Sequence, residues 1–246
     1  SMAMPRRVTG TPCSKAPLAT CEERDPNRAI PSGPVHRFRA VIRNAPIGGG
    51  WIEVVCGPMF SGKSEELIRR LRRAEIAGQR VLIIKAGIDD RYDISHVVTH
   101  GGAKMRAVNA CSADEVRRFA DGYQVVGLDE LHFFEDAIVE VCVELAEQGR
   151  RVIVAGLDTD FRAEPFVAMP DLMARAEFVD KLQAVCHRCG GPATRTQRLV
   201  NGQPAPFSGD TIQVGALDAY EARCRGCYEP GTDHLRVIDG RELSAR

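Results

Sequence analysis

No apolar run in the 246 residues approaches the roughly 18–20 needed to cross a bilayer, and the N-terminus has no apolar stretch of the secretory kind. No membrane partner is expected, and the expected compartment is the cytoplasm. An excess of charge is missing too: Lys+Arg and Asp+Glu are both 33, so nothing in the totals points to a polyanionic partner, and no nucleic acid is expected. The dipeptide Asn-Lys does not occur, which argues against the Asn-Lys-x-Asp element by which GTPases read guanine.

What is present is a 44% hydrophobic chain, enough for one large domain with a small satellite. Of nine cysteines, four fall in two Cys-x-x-Cys pairs, a pattern that in a reducing compartment reads as metal ligation rather than disulfides. Cys13, Cys21, Cys56, Cys111 and Cys142 carry no such pattern.

Residues 1–49 lack apolar periodicity and read as a disordered extension. At Trp51 the texture changes: Trp51-Ile52-Glu53-Val54-Val55-Cys56 predicts a strand that feeds a glycine loop. Leu67, Ile68, Leu71 and Ala74 then recur at helical spacing, with Gly78 as a stop. Val81-Leu82-Ile83-Ile84 predicts a buried strand, and Ser112-Ala113-Asp114-Glu115 has capping-box spacing ahead of a helix carrying Val116 and Phe119 inward. Val125–Glu130 predicts a strand ending in two carboxylates, Ile138 to about Gln148 a helix closed by Gly149, and Arg151–Gly156 a further strand. This alternation implies an α/β fold, a parallel sheet with helices on both faces, over residues 50–185. The cysteine pairs and an alternating Thr194, Thr196, Leu199, Val200 run then suggest a small β-ribbon module over 186–230, before a tail at 231–246.

Gly57-Pro58-Met59-Phe60-Ser61-Gly62-Lys63-Ser64 has the Gly-x4-Gly-Lys-Ser spacing of a P-loop. Glycines let successive backbone N–H groups turn toward phosphate oxygens while the next helix presents its positive N-terminus. Lys63 would reach the β/γ-phosphates of a nucleoside triphosphate and Ser64 would hold Mg²⁺. Asp129 is the expected magnesium-associated carboxylate, and Glu130, directed differently along the strand, is placed to act as base toward a hydroxyl or water.

Cys186-His187-Arg188-Cys189 and Cys224-Arg225-Gly226-Cys227 supply four thiolates at the spacing of two zinc knuckles, so structural Zn²⁺ is expected. The 34 residues between Cys189 and Cys224 exceed what a compact ribbon needs. Ordering them costs on the order of 35–70 kcal/mol of backbone entropy, against about 10–16 kcal/mol from a structural zinc. The metal can pin the base of that loop, and its tip needs packing or a ligand. The arginines near the cysteines, Arg188, Arg195, Arg198, Arg223 and Arg225, would suit a ribbon that grips DNA, although their alternation with polar residues reads more simply as a solvated face.

Together these residues resemble the zinc-containing, cytosolic type of thymidine kinase. The likeness runs from about Trp51 to Cys227. It rests on the P-loop with its Pro-Met-Phe interior, Lys85 followed by Asp89-Asp90-Arg91-Tyr92, and Asp129-Glu130-Leu131-His132-Phe133-Phe134. Gly156-Leu157-Asp158 with Phe161 and Phe166, the cysteine pairs, and Gln213-Val214-Gly215 leading to Tyr220 complete it. The resemblance implies a RecA-like P-loop sheet plus a zinc-ribbon domain carrying a lasso loop, and transfer of the ATP γ-phosphoryl group to the 5′-hydroxyl of thymidine. It implies Glu130 as general base; Gly57, Met59, Phe60, Ser61, Gly62, Lys63, Ser64 and Asp129 around ATP and Mg²⁺; and Met59, Leu157, Phe161 and Phe166 around the base. By the same likeness Val214 and Tyr220 sit at the thymine edge, Asp89 and Arg91 near the site, and the enzyme is a homotetramer of nucleotide salvage. His132 stands where the family more often has glutamine, and the resemblance assigns it no role.

Overall fold

The computed structural model describes residues 49–87, 94–98, 104–209, 220–231, 237–238 and 241–242, all within a compact unit spanning Arg43–Arg246. Each long apolar run forms a strand, and each 3.6-periodic run a helix. In chain order they are β1 (Trp51–Cys56), α1 (Lys63–Ile76), β2 (Val81–Ala86), β3 (Ile94–Val98), β4 (Lys104–Ala110), α2 (Ala113–Phe119) and β5 (Val125–Asp129). A 3₁₀ turn at Leu131–Phe133, α3 (Ile138–Glu147), β6 (Arg151–Gly156), α4 (Met169–Arg175) and β7 (Phe178–Lys181) follow.

These strands make one sheet in the order β3-β4-β2-β5-β6-β1-β7. All neighbours are parallel except β3 and β4. Because β1 and β6 pair Cys56 with Gly156, and β2 and β5 pair Lys85 with Asp129, the carboxyl ends of these strands gather at one edge. Open α/β sheets bind ligands at that edge.

Side chains alternate through the sheet into two cores. Val55, Ile83, Val125 and Ile153 meet Leu67, Ile68, Leu71 and Ala74 of α1 on one face. Val54, Ile84, Leu128 and Val154 meet α2, α3 and α4 on the other, through residues such as Val116, Leu145 and Leu172. Helix α1 lies close on the sheet at Gly127, where a Cβ would fall 2.6 Å from Leu71 Cδ1. Ser112 caps α2 as its spacing predicts, accepting from Glu115 N at 3.3 Å, while the Glu115 carboxylate reaches back to Cys111 N at 2.8 Å.

Three elements were not expected: the β3–β4 hairpin, which gives the sheet an antiparallel edge, helix α4, and β7. Beyond β7, the ribbon region contains β8 (Ala184–Val185) with β9 (Pro192–Ala193), and β10 (Arg195–Val200) between β11 (Gln203–Pro204) and β12 (Tyr220–Arg223). A short pair, β13 (Val237–Ile238) and β14 (Arg241–Glu242), follows.

The expected solvated arginine face is corrected in part. Arg198 and Arg223 are buried. Arg223 pairs with Glu221 and donates to Cys227 O at 3.2 Å, while Arg198 lies 4.5 Å over the Phe161 ring. Sequence alternation records which residues point inward, but not that an inward arginine has found an acid or a ring.

Candidate active site

The P-loop leaves β1 through backbone that favours glycine twice. Gly57 has φ 144°, and a Cβ there would sit 2.6 Å from Leu182 O; Gly62, at φ 81°, caps α1. Ser61 Oγ and Lys63 Nζ both donate to Pro58 O, each at 2.8 Å, so the lysine lies folded along its own loop. Burial pushes the Lys63 pKa below its ordinary value, against the nearby charges of Glu130, Asp129 and Asp158.

At the loop's last residue, Ser64 Oγ donates to Asp129 Oδ1 at 3.2 Å. Two hard oxygen donors from a helix start and a strand end suit Mg²⁺ bound together with a nucleotide's phosphates. Burial raises the Asp129 pKa, and the hydrogen bonds from Ser64 and Glu130 N oppose it.

Glu130 does not continue the strand as expected. Strand β5 ends at Asp129, and Glu130 adopts the left-handed conformation, φ 54° and ψ 39°, as the cap of the 3₁₀ turn. A non-glycine residue held there costs on the order of 1–3 kcal/mol. The twist turns its carboxylate into a cavity of about 310 Å³, near the lower end of the roughly 300–1,000 Å³ of small-molecule sites. The Glu130 pKa is raised, first by burial and then by the charge of Asp129, while Lys63 and Lys85 pull it down.

Met59 to Glu65 of the P-loop line this cavity on one side. Leu157, Phe161, Phe166 and Phe133 give it an apolar wall, and Tyr220 closes part of it from β12. Phe161 is fastened from several directions: Tyr228 donates its hydroxyl to Phe161 O at 2.7 Å, and the Arg162 and Arg198 guanidinium groups lie 4.8 and 4.5 Å from the ring centroid. Arg162 also donates to Phe207 O at 2.6 Å, tying this wall to the chain after β11. One cavity thus gathers the predicted Met59, Phe60, Ser61, Gly62, Lys63, Ser64, Glu130, Leu157, Phe161, Phe166 and Tyr220. Asp129 stands behind Ser64, Gly57 opens the loop, and Asp89, Arg91 and Val214 lie outside the described residues.

Sequence reasoning missed Thr196, Asp160 and the part played by His132, all of which line the cavity. Thr196 sits on the inward face of β10 and accepts from Met59 N at 3.1 Å, joining the ribbon to the P-loop. The alternation along β10 was the available signal. Asp160 is a buried brace: its Oδ1 accepts from Arg162 N and Glu164 N at 2.8 and 3.1 Å.

The four sulfurs of Cys186, Cys189, Cys224 and Cys227 lie within 4.8 Å of one another, with Cys189 and Cys224 3.7 Å apart. A tetrahedral Zn²⁺ with bonds of about 2.3 Å has sulfur–sulfur edges of about 3.8 Å, so the cluster fits structural zinc. Burial alone would raise the Cys186 thiol, yet hydrogen bonds from the backbone of Cys224, Cys189 and Arg188 bring it down to about 6.

With this geometry in view, comparison with known proteins is decisive at one point: the sequence model of the family described as thymidine kinase matches residues 50–228. The chain belongs to the thymidine kinase family. The match takes in the P-loop, the Asp129-Glu130 turn and both cysteine pairs. Among solved structures, the X-ray structure of the Legionella pneumophila ATPase DotB is similar at 19% identity and TM-score 0.33, over 52% of this chain and 34% of that one. A crystal structure of a DNA replication initiation factor is similar at 13% identity and TM-score 0.34, over 57% and 42%. This chain spans less than half the length of each of those two proteins, and the similarity is too loose to bear on function. Among the described residues, no helix is long and apolar enough to cross a membrane.

Proposed function

We propose that this member of the family transfers the γ-phosphoryl group of ATP to the 5′-hydroxyl of thymidine, with Glu130 as general base. The observation that carries the reading is a single cavity lined by the P-loop, by the apolar side chains of Leu157, Phe133, Phe161 and Phe166, and by Glu130. The loop suits the donor's phosphates and the apolar residues suit a flat pyrimidine.

In this reading the Lys63 ammonium leaves Pro58 O to meet the phosphates. Ser64 and Asp129 would hold Mg²⁺, which when bound neutralises charge on the β- and γ-phosphates. Glu130 accepts the 5′-hydroxyl proton as the sugar oxygen bonds to the γ-phosphorus and the bond from that phosphorus to the ADP oxygen breaks. Burial and Asp129 move the Glu130 pKa upward, toward the working pH, where a general base is most effective. The apolar wall favours the thymine methyl, but a group of that size is worth only about 1–3 kcal/mol. Deoxyuridine is therefore a weaker substrate, not an excluded one. Asp89, Arg91 and Val214 keep the roles that the family likeness implies, as do the homotetramer and the cytoplasmic salvage role.

Incubation with ATP-Mg²⁺ and, separately, thymidine, uridine, deoxycytidine or single-stranded DNA tests the reading. Thymidine should yield its 5′-monophosphate. No monophosphate, together with DNA-stimulated ATP hydrolysis, would replace it with a nucleic-acid-dependent ATPase.

A further inference from the structure

We propose that His132 is a positioning residue for the reaction, its Nε2–H holding the Glu130 carboxylate toward the acceptor hydroxyl. This rests on Glu130 being the base. His132 Nε2 lies 3.5 Å from Glu130 Oε2, within reach but without a formed hydrogen bond in the ligand-free protein, and catalytic hydrogen bonds commonly tighten once substrate is bound.

The direction of the proton follows from the other ring nitrogen. Leu157 N donates to His132 Nδ1 at 3.2 Å, so Nδ1 is an acceptor and the neutral ring carries its hydrogen on Nε2, facing Glu130. The ring cannot easily turn away. It packs at a tilt 4.2 Å from Phe133 and edge-on 4.9 Å from Phe166.

Glu130 needs such a partner. Its side chain extends from a strained residue into the cavity, and His132 is the polar side-chain contact of its carboxylate among the described residues. The charged groups facing it are Lys63 from α1, Lys85 from β2 and Asp129 from β5. A further cation at this point would hold the carboxylate but weaken it as a base. Burial and the Lys63 charge keep the imidazole neutral, so His132 orients Glu130 without adding a positive charge.

The same ring lies between two residues that line the cavity. The backbone N–H that fixes its tautomer belongs to Leu157, whose residue lines the apolar wall, while its other nitrogen faces the base.

The test uses the full chain with His132→Phe, His132→Gln and Glu130→Gln, reading kcat, both KM values and the pH profile of kcat. Phe keeps the ring's bulk and removes the donor; Gln offers one acceptor and one donor. His132→Phe should lower kcat about 10- to 100-fold, a penalty typical of misplaced reacting groups, with KM for ATP within about twofold of wild type. Its acid limb should move to higher pH, because a hydrogen bond favouring the charged carboxylate is gone. His132→Gln should restore kcat to within about fivefold of wild type if its amide satisfies both partners. On a Glu130→Gln background, His132→Phe should add little. If the Phe variant is insoluble, His132→Met removes the donor in its place. A donorless variant with wild-type kcat and an unmoved acid limb, or a folded, ATP-binding Gln variant without recovery, overturns the proposal. If Glu130→Gln is itself fully active, the base assignment falls and this inference falls with it; if Glu130→Gln is inactive and His132→Phe is not, only this inference falls.

Discussion

Lowering the pH should destabilise the protein through His132 by an amount that can be worked out. The ring is 2% exposed, and burial, followed by the Lys63 charge, takes its pKa from 6.5 to about 3. The folded state therefore refuses a proton that the unfolded chain accepts. Its contribution is intact above pH 6.5 and is lost as the pH falls from there toward 3. With one pKa unit worth about 1.4 kcal/mol, linkage gives a loss of about 2 kcal/mol between pH 7 and pH 5. His132→Gln has no such group, so the wild-type stability minus that of the variant should fall by about 2 kcal/mol over this interval. Urea unfolding of both zinc-loaded proteins at half-unit pH steps measures the difference, and shared titrations, the cysteines included, cancel. A difference that stays flat from pH 7 to pH 5 would refute the buried, neutral histidine, and with it the argument for how His132 serves Glu130.

Removing zinc with a strong chelator should release one ion per chain, detected colorimetrically, and abolish kinase activity, because β8 to β12 and Thr196 depend on the pinned cysteines; retained activity in the metal-free protein would contradict this. Arg70→Met should cost about 3–5 kcal/mol in chemical unfolding, since Arg70 reaches Glu53, Glu66 and Asp180 at 2.7, 2.8 and 2.6 Å and Glu53 is buried. Pairing it with Glu53→Gln should recover part of that loss. Val167 is a half-exposed β-branched residue at φ 40°, so Val167→Gly should stabilise the fold by up to about 1 kcal/mol, read as a rise in the urea midpoint.

Much of the donor half was legible in the sequence. The Gly57-to-Ser64 spacing, the strand before it and the helix after it are local features, and local physics decides them. The Asp129-Glu130 pair could be located but not aimed: that Glu130 leaves the strand in a left-handed turn depends on the packing of Leu131 and His132 beneath it. Short strands that mix polar and apolar residues hid the β3–β4 hairpin, and β7 and α4 are too short for periodicity to declare. Thr196 needed the ribbon to be brought against Met59, a contact across 137 positions of chain. Arg198 and Arg223 were misjudged in character, since an arginine in an alternating strand looks solvated until Phe161 or Glu221 is beside it.

The central claim is that Glu130 is the base in the cavity lined by the donor loop and the nucleoside wall. Single-turnover transfer from ATP to thymidine in Glu130→Gln tests it most directly. The account predicts nearly unchanged ATP binding and a chemical step slower by about 10²- to 10⁴-fold. A wild-type rate of thymidine monophosphate formation in that variant would contradict it.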